Sequence, residues 1–273
     1  MILDVLLPSV LFLIAVAVVF LYARFEKKVD SLFGGKELRI GHVVLLVAAM
    51  GIMVTVLVFV SESAMMVLFL FAYSTILFLF AYLVTPKLYL AVLTPALFIA
   101  LYFMYKDTYL WNVYIPPHIP YLLNLFAIIF AVCISVYMGT LFTWKTTAGF
   151  IALLTVMDVI QVLITGHMVT SGEKAIALGL PVAIILPTFP SKGLTFLGLG
   201  DIFLFGLLSI QTTRKYGRNF GLASIVSITV VFLLLQTILL NTDVESFPAT
   251  VLVISGWLTA LAARHLYKSQ MFR

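Results

Sequence analysis

The chain is poor in cysteine, in charge and in polar segments of any length. Its one cysteine, Cys133, lies within an apolar run. A single cysteine excludes an internal disulfide, and no cluster of Cys and His has the spacing of a metal site. His42, His118 and His265 stand near the ends of apolar runs and suggest no metal either. Charged residues make up 10% of the 273, against 63% hydrophobic ones. A soluble domain of that length has too little interior for so much apolar side chain. No internal repeat, low-complexity tract or conventional linker interrupts the pattern, and no soluble domain of useful size is expected. The fold class that remains is all-α, a polytopic membrane protein.

Nine spans are expected, roughly at 2–23, 43–61, 64–84, 88–105, 121–142, 146–165, 195–212, 221–240 and 247–263. Their flanks carry Trp, Tyr, Pro and charge, the usual interfacial punctuation. The first span opens MILDVLLPSVLFLIAV, with an acid in place of a basic n-region, so it is expected to be retained rather than removed as a signal peptide. Spans 1–5 form an N-terminal membrane bundle (1–145) and spans 6–9 the region that carries the chemistry (146–273). The net charge of +5 implies no nucleic-acid partner here, because Lys and Arg gather in alternate loops. The loops after spans 1, 3, 5 and 7 and the C-terminal tail hold 13 of them, and the opposite side holds Lys106, Lys174 and Lys192. Positive charge favours the cytoplasmic side, which puts the N-terminus outside and the C-terminus inside. The expected setting is the lipid bilayer of a cell membrane.

Two connections are not short loops. Lys106–Tyr121, rich in Trp, Tyr and Pro, reads as an interfacial loop. Residues 166–194 include Ala175–Phe189 (AIALGLPVAIILPTF), too short and too proline-interrupted to span. Its β-branched run Val182–Ile185 reads as a short strand at the membrane surface, and a greasy loop packed on the bundle stands as the alternative.

Four acids lie in or near apolar segments. Asp4 and Glu62 are close enough to span ends to reach water and are given no role. Asp158, in LLTVMDVIQVLIT, and Asp201, in FLGLGDIFLFGLL, are well inside their spans. A carboxylate at that depth costs on the order of 3 kcal/mol, so it faces a polar interior and marks a function. Counted back from Thr165 and forward from Thr195 at a helical rise, both lie roughly 10 Å below the outer boundary. Two acids on sequential antiparallel helices can then face each other and share one proton. The ionised member can take a proton from water that attacks a peptide carbonyl, while the protonated member donates to the carbonyl oxygen. Which aspartate takes which part is open. No metal, cofactor or covalent nucleophile is required.

Gly198-Leu199-Gly200 immediately precede Asp201, and glycine lets a backbone unwind or a second chain come close. Pro248-Ala249-Thr250 opens the last span near the same depth, as a rigid, small-residue segment that helps shape the cleft. His167, Glu173, Lys174 and Gln236 are read respectively as a boundary residue, two solvated loop charges and a partner for a neighbouring helix. The ordered set Asp158, Gly198-Leu199-Gly200-Asp201 and Pro248-Ala249 resembles the presenilin and signal-peptide-peptidase family. The stretch DVIQVLITGHMV followed by LPVAIILP is similar to archaeal presenilin homologues. That resemblance implies a GxGD intramembrane aspartyl protease acting on transmembrane helices or remnant signal peptides. Two departures stand out: Met157 where the family has Tyr, and Thr250 where its Pro-Ala-Leu ends. The outside N-terminus resembles signal-peptide peptidases. A transporter or proton-coupled channel is the competing reading, since paired membrane carboxylates also relay protons. Homo-oligomerisation is left open.

Overall fold

The computed structural model describes residues 3–33, 35–116, 118–190, 193–242 and 247–271. Lys192 and Arg273, both part of the loop-charge asymmetry, lie outside them. Ten α-helices follow in order: α1 Leu6–Phe33, α2 Ile40–Phe59, α3 Glu62–Val84, α4 Leu88–Tyr105, α5 Tyr121–Leu141, α6 Trp144–Val159, α7 His167–Ala177, α8 Leu199–Tyr216, α9 Arg218–Leu240 and α10 Ala249–Met271. A π-helical turn, Ile160–Ile164, extends α6. Between α7 and α8 stand two strands, β1 Ala183–Pro187 and β2 Leu194–Gly198.

The protein is an all-α, multi-pass membrane protein. Among the described residues eight helices, not nine, are long and apolar enough to cross a bilayer. The helix that fails the test is α8, whose 18 residues include Asp201, Arg214 and Lys215. Its whole stretch from Asp201 to Thr212 is buried by other helices. A helix screened from lipid has no need of a uniformly apolar surface, so Ser209, Gln211 and Thr212 are admitted and satisfied within the bundle. Gln211 donates to the carbonyls of Gly139 and Phe142 at 2.8 and 2.9 Å, and Trp257 Nε1 donates to Thr212 Oγ1 at 2.9 Å.

Small residues let the helices around α8 approach closely, the usual basis of packing in lipid. A Cβ built on Gly206 would stand 2.5 Å from Ser135 Oγ of α5. One built on Gly256 of α10 would stand 2.5 Å from the Cα of Ile228 on α9. The larger core gathers around α8 from α1, α5, α6, α9 and α10. A second core joins α3, α4 and α5 to the stretch before β1.

The 106–121 connection is more than an interfacial loop. Trp111 is fully buried, and its Nε1 donates to Gly179 O at 2.6 Å, while Tyr102 donates to Leu178 O at 2.8 Å. This aromatic lid secures the turn from α7 into β1. The strand expected over Val182–Ile185 is present, shifted to Ala183–Pro187, and it has a partner that sequence reasoning placed in a helix. The antiparallel register runs from Ala183↔Gly198 to Pro187↔Leu194. Residues 195–198 are therefore strand, and α8 begins only at Leu199. The depth of Asp201 cannot be counted from Thr195 at a helical rise, because a strand climbs about 3.3 Å per residue, against 1.5 Å in a helix.

Candidate active site

Asp158 sits one residue before the end of α6, and Asp201 occupies the third position of α8, after an extended Gly198. Both are buried, at 2% and 8% exposure. Each acid comes from the run in which the sequence placed it, but Asp201 stands in a helix's first turn rather than well inside a span. A carboxylate in the first helical turn faces unpaired backbone N–H groups and the positive end of the helix dipole.

The two carboxyls line one cleft of about 1190 Å³ and lie close enough for the charge of Asp158 to act on Asp201. Thr250, itself buried, reaches both: its hydroxyl side lies by Asp158 and its backbone by Asp201. Among the described residues neither Asp158 Oδ1 nor Thr250 Oγ1 has a hydrogen-bond partner, although both are buried. An unsatisfied buried acceptor costs about 1–3 kcal/mol.

The glycines play different parts. A Cβ on Gly198 would sit 3.4 Å from Asp201 Oδ2, in van der Waals contact with the carboxylate. A Cβ on Gly200 would meet nothing within 4 Å. Gly200 lines the cleft, so its missing side chain leaves room in the cleft rather than permitting helix contact. Leu199, Pro248 and Ala249 also line it, and Thr250 is not among the lining residues. Pro248 directly precedes α10 and accepts from Val251 N at 3.1 Å, so it also initiates that helix. The departure at Met157 points elsewhere: its sulfur would lie 3.3 Å from a Cβ on Gly51 of α2, and it does not line the cleft.

Three features went unread in the sequence. First, β2 forms one wall of the cleft, with Phe196 half exposed. Second, Lys174 is no solvated charge: its ammonium donates to the carbonyls of Leu57, Val58 and Val60 and so caps the end of α2. Third, Asp4 does not reach water; it is wholly buried among five hydrogen-bond donors. Gln236, read as a helix-bonding residue, supplies one of those donors at 3.1 Å. His167 opens α7 and packs edge-on against Phe59, clear of the acids.

The strands also differ in what they offer. Ile185 N and O are both held by the Asn124 side chain of α5, at 2.8 and 2.6 Å. Its backbone therefore points away from β2, and the outer edge of β1 is closed there. The β1–β2 hydrogen bonds fall on the alternate residues, continued by Leu199 N→Val182 O and Thr188 N→Gly193 O. By the same alternation, Leu194, Phe196 and Gly198 turn their backbone groups away from β1. Those residues line the cleft.

These features define a multi-pass membrane protein with a two-carboxylate cleft walled by a strand edge. Among known proteins, the chain matches no family model and no curated protein.

Proposed function

We propose that the chain is an intramembrane aspartyl endopeptidase of the GxGD type, related to presenilins and signal-peptide peptidases. The observation that carries this reading is that Asp158 and Asp201, from separate helices, line one cleft. The ionised carboxylate takes a proton from water, whose oxygen bonds to the scissile carbonyl carbon. The protonated carboxyl donates to the carbonyl oxygen, giving a neutral tetrahedral diol. On collapse the first carboxyl gives its proton to the departing amine as the C–N bond breaks, and the second takes the proton of the diol hydroxyl that becomes the carbonyl. Both carboxyls are thereby back in their starting protonation states, ready for another turn. No cofactor takes part in these steps.

The substrates are transmembrane helices or remnant signal peptides. A helix hides its scissile bonds behind its own hydrogen bonds, so it must unwind first. The edge offered for that is β2, because the outer edge of β1 is closed at Ile185 by Asn124. An unwound segment can pair with Leu194, Phe196 and Gly198 and pass beside Asp201. In this reading α8 stands as the seventh of nine crossings, shielded from lipid. The N-terminus lies outside and the C-terminus inside a cell membrane, on the strength of the loop charges.

The test is cleavage of a labelled single-span substrate by purified protein. Asp158→Asn and Asp201→Asn should each lower the rate by about 10²–10⁴-fold or more, with the helical content unchanged. Cleavage that survives either substitution refutes the reading. Proton movement by wild type without cleavage would support the transporter alternative.

A further inference from the structure

Asp4 is not part of the cleft, yet it is 0% exposed and more fully hydrogen-bonded than either cleft aspartate. Its Oδ1 accepts from Leu6 N at 3.0 Å, Leu7 N at 3.5 Å and Phe189 N at 3.4 Å. Its Oδ2 accepts from Thr195 Oγ1 at 3.2 Å and Gln236 Nε2 at 3.1 Å. Next to it, Val5 N donates to Phe189 O at 2.8 Å, and Asp4 bridges to Pro190 as in an antiparallel ladder.

One carboxylate thus bonds to three parts of the fold: the first turn of α1, the far end of the β1–β2 hairpin and the C-terminal end of α9. Capping α1 alone would not call for burial, since an exposed Ser or Asn serves as well. Burying a carboxylate is costly unless every oxygen is satisfied. The arrangement here satisfies both oxygens, and the partners divide by position. Oδ1 holds backbone groups, and Oδ2 holds two side chains that reach in from β2 and α9. Gln236 Oε1 has no partner among the described residues, so that amide is held in place from Asp4 alone. Thr195 lies on β2 between Leu194 and Phe196, the residues whose backbone faces the cleft. Near Asp201 the hairpin is held separately, by Leu199 N→Val182 O at 2.9 Å.

We infer that Asp4 is a positioning residue that fixes the far half of the β2 edge, through Thr195, for pairing with substrate. The part about substrate rests on the protease reading above; the part about β2 does not. Two variants of the full chain test it. Asp4→Ala removes all five bonds. Thr195→Val keeps the β-branched shape and four of those bonds, removing only the tie to β2, so it remains informative if the first variant folds poorly.

Hydrogen–deuterium exchange in detergent reads the first part. In both variants the amides of Thr195 and Leu197, the two that bond to β1, should exchange at least tenfold faster, with α10 unchanged. Unchanged exchange in β2, or equal acceleration in α10, overturns the inference. Steady-state cleavage of a single-span substrate reads the second part. KM should rise about tenfold in Thr195→Val with kcat within threefold, because the edge is displaced and the carboxyl pair is not. A fall in kcat at constant KM overturns it. If wild type cleaves nothing, the protease reading fails, and the exchange result alone decides what Asp4 does.

Discussion

Phe196→Pro isolates the use of the β2 edge. Phe196 faces Ile185 across the sheet at a position where neither backbone bonds the other, so its N–H points into the cleft. Proline there removes that donor and leaves the β1–β2 ladder intact, which is why proline is tolerated on strand edges. The preceding Thr195 is already in a strand, the conformation that proline requires of its neighbour. One hydrogen bond contributes about 0.5–1.5 kcal/mol net, which converts to roughly a 2- to 12-fold loss of affinity. The pyrrolidine ring also stands where a paired chain would lie, so the upper end of that range is expected. Phe196→Ala is the control, because it loses the half-exposed ring but keeps the N–H. The assay is KM and kcat for a labelled single-span helix and for a short extended peptide of the same sequence. KM for the helix should rise about tenfold beyond the alanine control, and less for the extended peptide, which needs no unwinding. Equal KM values for Phe196→Pro and Phe196→Ala would show that no chain pairs with β2.

Asn124→Ala strands the N–H and C=O of Ile185 in the core, at a cost of about 2–6 kcal/mol; a sharply lower melting temperature in detergent is expected, and an unchanged one refutes the closed-edge account. Gly256→Ala should destabilise by about 1–3 kcal/mol, because the new methyl meets the Ile228 backbone, which cannot rotate away; thermal unfolding followed by circular dichroism checks it. Thr250→Val keeps the shape and removes the hydroxyl beside Asp158. Its effect should fall on kcat and the pH–rate profile, with KM nearly unchanged, and a pure KM effect would place Thr250 outside the chemistry.

The sequence announced the carboxyl pair because acids in apolar runs are expensive and therefore conspicuous. It was silent on β2 for the opposite reason. LTFLGLGDIFLFGLL is almost wholly apolar on both sides of Asp201, and neither composition nor periodicity shows where a strand ends and a helix begins within such a run. The change comes at Gly198, whose extended backbone starts α8 and places Asp201 in its first turn. The same continuity made α8 look like an ordinary crossing, although its polar residues are paid for by neighbours rather than by apolarity. Asp4 and Lys174 were misjudged on one assumption, that a charge near a span end meets water. Asp4 is covered by a later segment, the hairpin, and Lys174 is carried by α7 onto the end of the earlier helix α2. Trp111 is covered in the same way by Gly179. Such long-range covering leaves no local pattern to read.

β2 passes into α8 without a turn, so the strand wall and Asp201 move as one piece. Widening the cleft from that side would carry Asp201 away from Asp158. The opposite wall is under no such constraint: α7 is joined to the Asp158 helix through the π turn and through Gly166, whose φ of +68° only glycine adopts freely. On the protease reading proposed above, differences in substrate girth would be met on the α7 side, where room for bulk can change without disturbing the distance between the acids.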